Sequence, residues 1–155
     1  MSYFIRPSPA ELGRALASWS WLDLEGKRPY RVTAFADIFF LNAARRIWFL
    51  DRLEGTLQPA FSNVDEMEAV LATEDGQDKF LLAAFVLRAE REGLELADGE
   101  CYDWKISPTL GGSVEFHNIH RMNFVAAMAV SGQLHEQIRN LPPDAKISGF
   151  EMGDA

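Results

Sequence analysis

Between Arg121 and Arg139 the chain reads MNFVAAMAVSGQLHEQI, and the first eleven of these seventeen residues, Met122 to Gly132, carry no charge. A helix on a protein surface shows a charged face opposite its apolar stripe. Three turns without one predict a helix over about 122–140 that is buried nearly all round. The run is too short to span a membrane, which takes about 18 apolar residues or more. Gly132 costs such a helix roughly 1 kcal/mol relative to alanine, and close approach of another backbone is the usual compensation. Beyond it the character changes, with Gln133, His135, Glu136 and Gln137 in quick succession. Structurally, that is the polar end of a core helix reaching water. Functionally, Gln133, His135 and Gln137 would face a ligand or a partner.

A buried helix needs layers around it, and the flanking sequence supplies helices and strands. Ser8-Pro9-Ala10-Glu11 is a capping box with proline at the first helical position. A helix starts there, with Leu12, Leu16 and Trp19 on one face. Gly26 to Pro29 break the chain. YRVTAF, DIFFLN and RIWFLD, from Tyr30 to Asp51, are short aromatic and β-branched runs that read as strands. Asn42 to Arg45 is the hairpin turn between the second and third. Gly55 marks another turn, and TLQPAF (56–61) suits an edge strand that tolerates Pro59.

Ser62 or Asn63 caps a helix running through Thr73. A second helix is predicted from Gln77 to Glu92, with Leu81, Leu82, Phe85, Val86 and Ala89 as its stripe and Gly93 as its stop. CYDWKI (101–106) and VEFHNI (114–119) read as strands joined by the SPTLGG loop. Pro142-Pro143 end the buried helix, and AKISGF (145–150) closes as a last strand. This order predicts one α+β domain, a mostly antiparallel sheet with about four helices. Residues 1–28 are its N-terminal helix and connector, and 29–155 its main unit.

At 155 residues and 17.4 kDa the chain is long enough to bury roughly 70% of its unfolded surface, so neither a metal nor a disulfide is needed to hold it. Cys101 is the only cysteine, which excludes an internal disulfide and suits a reducing compartment. The N-terminal MSYFIRPSPAELGR has no apolar segment resembling a signal peptide, and cytoplasmic residence is the expectation. The net charge of −8 is uneven. Residues 1–52 hold eight Lys/Arg and five Asp/Glu, for +3, and the remainder holds seven and eighteen, for −11. From Glu54 to Asp78 there are seven acids and no base. Such a field repels nucleic acid and attracts cationic partners.

No catalytic set can be assembled from the remaining signals. His117 and His120 are an odd number of positions apart and, at strand period, point to opposite faces. There is no H-E-x-x-H helix and no cysteine pair, so neither a metal nor another cofactor is expected. A lone buried cysteine such as Cys101 behaves as a small hydrophobe. Tyr102 and Trp104 face one side of their strand, Asp103 and Lys105 the other. The Leu110-Gly111-Gly112-Ser113 loop lacks the pattern of a phosphate loop. Its glycines are predicted to supply positive φ or to lie against the helix at Gly132.

Taken in order, these segments resemble a known family. Tyr102-Asp103-Trp104-Lys105, the Gly111-Gly112 loop, the helix carrying Gly132-Gln133-x-His135-x-Gln137, and Pro142-Pro143-x-x-Lys146-Ile147-Ser148-Gly149-Phe150 look like the C-terminal domain of type VI secretion immunity proteins that protect against DNase effectors. AFADIFFLNAARRIWFLDRLEGTL, Ala34 to Leu57, is similar to that family's opening strands. The resemblance runs from the early thirties to Phe150. It implies a non-catalytic protein that binds and occludes a toxic effector, a nuclease, with no direct contact to nucleic acid or membrane. A nuclease holds phosphates in a cationic groove, so the partner-binding surface is expected at Asp65, Glu66, Glu68, Glu74, Asp75 and Asp78. A function of another class stays open beside it: a small-molecule-binding or enzymatic domain using Gly111, Gly112, Gln133, His135 and Gln137.

Overall fold

The structure, a computed structural model, describes residues 3–141. Pro142-Pro143, the strand expected at 145–150 and Lys146 to Gly149 lie outside the described residues. β1 (Phe4–Ile5), β2 (Lys27–Thr33), β3 (Ile38–Asn42), β4 (Ile47–Asp51) and β5 (Thr56–Phe61) form one antiparallel sheet in sequence order. β6 (Glu100–Trp104) and β7 (Ile119–Asn123) pair antiparallel in a second sheet. Five α-helices complete the described residues: α1 (Pro9–Ala17), α2 (Val64–Leu71), α3 (Glu74–Leu81), α4 (Ala83–Arg91) and α5 (Phe124–Ile138). The α+β architecture is as expected.

The central strand shows how the layers arise. Ile38, Phe39, Phe40 and Leu41 are all buried, because helices cover both faces of the sheet. With side chains alternating, Ile38 and Phe40 enter one core with Trp19, Phe124 and Met128 of the α1–α5 side. Phe39 and Leu41 enter another with Met67, Leu71 and Leu81 of α2 and α3. Pro59 is tolerated because β5 is an edge, and Pro29 because it sits at a bulge against β3.

α5 is the helix foreseen from its missing charges. Asn123 caps it, its side chain accepting from the Ala126 N–H at 2.9 Å, and no residue from Phe124 to His135 is exposed. Gly132 is the point of closest approach. A Cβ there would lie 2.5 Å from the Ser18 carbonyl oxygen just past α1. Trp19 and Trp21, stacked 5.6 Å apart, donate their indole N–H groups to the carbonyls of Met128 (2.9 Å) and Gly132 (3.1 Å).

Four local expectations are corrected. The helix expected at 77–92 is two, α3 and α4, broken at Leu82 in a left-handed conformation (φ 51°). The break lets Leu81 pack with Phe39 while Val86 and Ala89 turn to a third core around Phe35 and Trp104. The end of YRVTAF is not strand. Ala34, Phe35 and Ala36 form the β2–β3 turn, closed by the Thr33 N–H donating to the Asp37 carbonyl (2.8 Å). Their apolarity reflects a turn plugged between the two sheets. VEFHNI is not strand either until Ile119. The Asn118 side chain brackets Ile106, accepting from its N–H (3.0 Å) and donating to its carbonyl (2.8 Å), so the ladder ends at the Trp104–Ile119 pair. Finally, the Gly-Gly loop does not meet Gly132. Gly111 supplies a positive φ (95°), and Gly112 lies against the Ile106 carbonyl.

Candidate functional site

Where the first sheet, the second sheet and α5 converge they line a cavity of about 360 Å³ that opens to solvent. Its apolar walls come from Phe35, Leu82, Trp104, Met122, Val130 and Leu134, and its polar groups include Asp37, Arg52, Asp103, His120 and His135. The hairpin turns deliver the charged residues: Asp37 closes the β2–β3 turn, Arg52 follows β4, and Asp103 lies in β6.

Arg52 joins these elements. Its side chain is 6% exposed. Its Nε donates to the Phe35 carbonyl (3.0 Å), Nη1 to Asp103 Oδ1 (3.0 Å) and Nη2 to the Tyr102 carbonyl (3.2 Å). Its backbone N–H donates to Asp37 Oδ1 (2.8 Å), and its carbonyl accepts from His135 Nε2 (2.9 Å). One residue thereby ties the β2–β3 turn, the second sheet and α5 together.

Burial sets the protonation states. It disfavours the charged guanidinium, but the carboxylates, Asp103 foremost, outweigh it and hold Arg52 above its ordinary pKa. Asp37 is pushed up to about 7, chiefly by burial and then by the nearby charge of Asp51, against the Arg52 and Thr33 contacts that favour the carboxylate. Burial lowers His135, so at neutral pH it is an uncharged donor. Burial raises the Cys101 thiol to about 12, which keeps it protonated and unfit as a nucleophile.

Asp37 makes a testable contribution to pH dependence. With a folded pKa near 7 and an ordinary value of 3.8, the native state holds a proton that the unfolded chain has lost. Its stabilisation is full below about pH 4 and disappears as pH rises through about 7. His135, lowered on folding, runs the other way but is common to wild type and Asp37→Asn. The stability difference between these two proteins, by urea denaturation, is therefore expected to shift against wild type from about pH 4 to about pH 7 and then level off. A pH-independent difference would mean that Asp37 is solvated.

The residues anticipated from sequence are placed as follows. Of Gly111, Gly112, Gln133, His135 and Gln137, His135 is the one that lines the cavity. Its ring is held over Gly55, where a Cβ would come within 2.5 Å. Gln133 is half-buried and Gln137 exposed. The six acids, Asp65, Glu66, Glu68, Glu74, Asp75 and Asp78, are all exposed on the successive helices α2 and α3. Glu66 accepts from the Ser62 N–H (2.9 Å), and Glu68 pairs with Arg31 (2.7 Å). His117 is exposed beside Glu115, while His120 lines the cavity. Among the described residues no group of three or more His, Cys, Asp or Glu is placed to hold a metal ion, and no helix is long and apolar enough to cross a membrane.

Asp37 and Arg52 do not stand out in the sequence as site residues, and Asp103 stands out only as part of the Tyr102-Asp103-Trp104-Lys105 segment. One carried a signal: Asp37 interrupts AFADIFF, and a single charge set in a strand-like apolar run marks a buried ion in need of partners, whereas Arg52 follows Asp51 at the end of IWFLDR.

Residues 62–135, just under half of the chain, match the family model described as "T6SS immunity protein Tdi1, C-terminal". Over that segment the chain is similar to the family named from its sequence. The match takes in α2 to α4, the second sheet and most of α5. It leaves out Ala34 to Leu57 and the stretch at 142–150. Among solved structures, the crystal structure of Atu4351 from Agrobacterium tumefaciens is similar, with a TM-score of 0.53 and 18% identity over 85% of this chain and 67% of that one. That likeness concerns the fold alone. No curated protein matches.

Proposed function

We propose that this protein is a non-catalytic immunity protein, acting in the cytoplasm, that binds a cognate toxic effector and occludes it. The match of residues 62–135 to the immunity family carries this reading. We infer further that the effector is a nuclease and that the acidic face of α2 and α3 covers its cationic groove.

The placement of the six acids supports that interface. α2 and α3 are consecutive and in contact, Gly76 lying against the Val70 carbonyl, and all six carboxylates are exposed. Glu66 and Glu68 already have local partners. Asp65, Glu74 and Asp78 are the better test. At helix N-termini, reversal of Asp65 and Glu74 costs about 0.3–1 kcal/mol each, small enough to leave the fold intact.

Where a secreted nuclease is encoded beside the gene for this protein, co-expression of the two is expected to restore growth. Changing Asp65, Glu74 and Asp78 together to Lys should slow association by about tenfold at low salt, less as salt screens the field. Wild-type protein that neither restores growth nor binds would overturn the immunity reading. Binding at an unchanged rate by the triple variant would remove the acidic face from the interface.

A further inference from the structure

We propose that the cavity around Arg52 and Asp103 is a binding site for an uncharged small molecule with a flat apolar body and a carboxamide-like edge. This goes beyond the immunity reading and does not depend on it.

Size is the first observation. The cavity opens to solvent, and its volume of about 360 Å³ lies within the range of ligand pockets. The second is the composition of the walls. Trp104 and Phe35, with ring centroids 5.7 Å apart, stand with Leu82, Val130 and Leu134 around the space, which favours an aromatic or similarly flat body.

The polar end decides the head group. A guanidinium has five N–H donors, and Arg52 uses three on Phe35, Asp103 and Tyr102. Asp103 Oδ1 accepts from Arg52 and from the Trp104 N–H (2.8 Å), while Oδ2 has no partner among the described residues. Both residues line the cavity. It therefore offers a donor and an acceptor side by side, with their charges already cancelled at 3.0 Å. An anionic head would meet Asp103 as well as Arg52, and a cationic head the reverse, while Lys105 is exposed at the rim. Either would bring an uncompensated charge into a desolvated site. A neutral amide edge supplies one acceptor for Arg52 and one donor for Asp103 and adds no charge. His135 is engaged on the Arg52 carbonyl, and exposed Lys105, half-buried His120, Ser107 and Ser131 complete the polar lining.

The test uses three probes of nearly the same shape, benzamide, benzoate and benzamidinium, titrated into the isotope-labelled full chain by NMR. Benzamide is expected to give saturable shifts at Trp104, Lys105 and Leu134, in the weak range of so small a molecule. The two charged probes are expected to bind at least about tenfold more weakly. Tighter binding of either charged probe, or no saturable shift with any of the three, would overturn the proposal without need of a variant. Asp103→Asn, checked for a dispersed spectrum, should reverse the order in favour of benzoate by leaving Arg52 uncompensated. An unchanged order would show that Asp103 does not select the head group.

Discussion

Arg52→Leu is expected to cost about 3–5 kcal/mol of folding stability, the usual loss when one partner of a buried ion pair is removed. Leucine fills much of the same volume, so lost packing is a minor part of this. What remains is Asp103, partly buried without its cation, and the Phe35 and Tyr102 carbonyls without their donors. Asp37 also loses the positive charge that offsets its burial. Adding Asp103→Leu is expected to recover part of the loss, since replacing a whole buried pair by apolar groups is often close to neutral. Denaturant unfolding measures both. A single variant within about 1 kcal/mol of wild type, the value of an exposed ion pair, would show that water reaches the guanidinium.

Gly132→Leu is expected to destabilise by about 1–3 kcal/mol from overpacking, with about 1 kcal/mol more for each hydrogen bond it breaks. The added side chain meets backbone, the Ser18 carbonyl at 2.5 Å, which cannot rotate away. Separating α1 from α5 also pulls the Trp19 and Trp21 indoles from the Met128 and Gly132 carbonyls. Gly132→Ala is the sharper variant. In an exposed helix that change stabilises by about 1 kcal/mol; here it is expected to destabilise. A thermal melt that rises for Gly132→Ala would place the glycine in open space.

The unequal legibility of the elements follows from the range of the interactions behind them. Capping is local: Ser8 and Glu11 meet three residues apart, so the start of α1 can be read directly. The burial of α5 is nearly as plain, because a charge-free run leaves no face for water. The break at Leu82 is not visible in the stripe at 81–89, since one continuous helix would satisfy the same periodicity. It exists because Leu81 and Val86 belong to different cores. The turn at Ala34–Ala36 reads as strand for a similar reason: the second sheet, some seventy residues later in the chain, buries it and so selects apolar residues.

By itself, then, the sequence determined the α+β class, the antiparallel hairpins and the buried helix with its closely approached glycine. These rest on periodicity, caps and composition, each carried within a few turns or one hairpin. Only the tertiary structure decided that Ser18, and not the Gly-Gly loop, is the backbone facing Gly132, and that Asp37, Arg52, Asp103 and His135 surround one cavity. The partners of Arg52 are 15 to 83 residues away along the chain. Asp37 and Phe35 face Arg52 across the β3–β4 hairpin, where Ile38 pairs with Leu50, but nothing local records Tyr102, Asp103 and His135, 50 to 83 residues away. A buried charge announces that it needs partners, and the fold determines which they are.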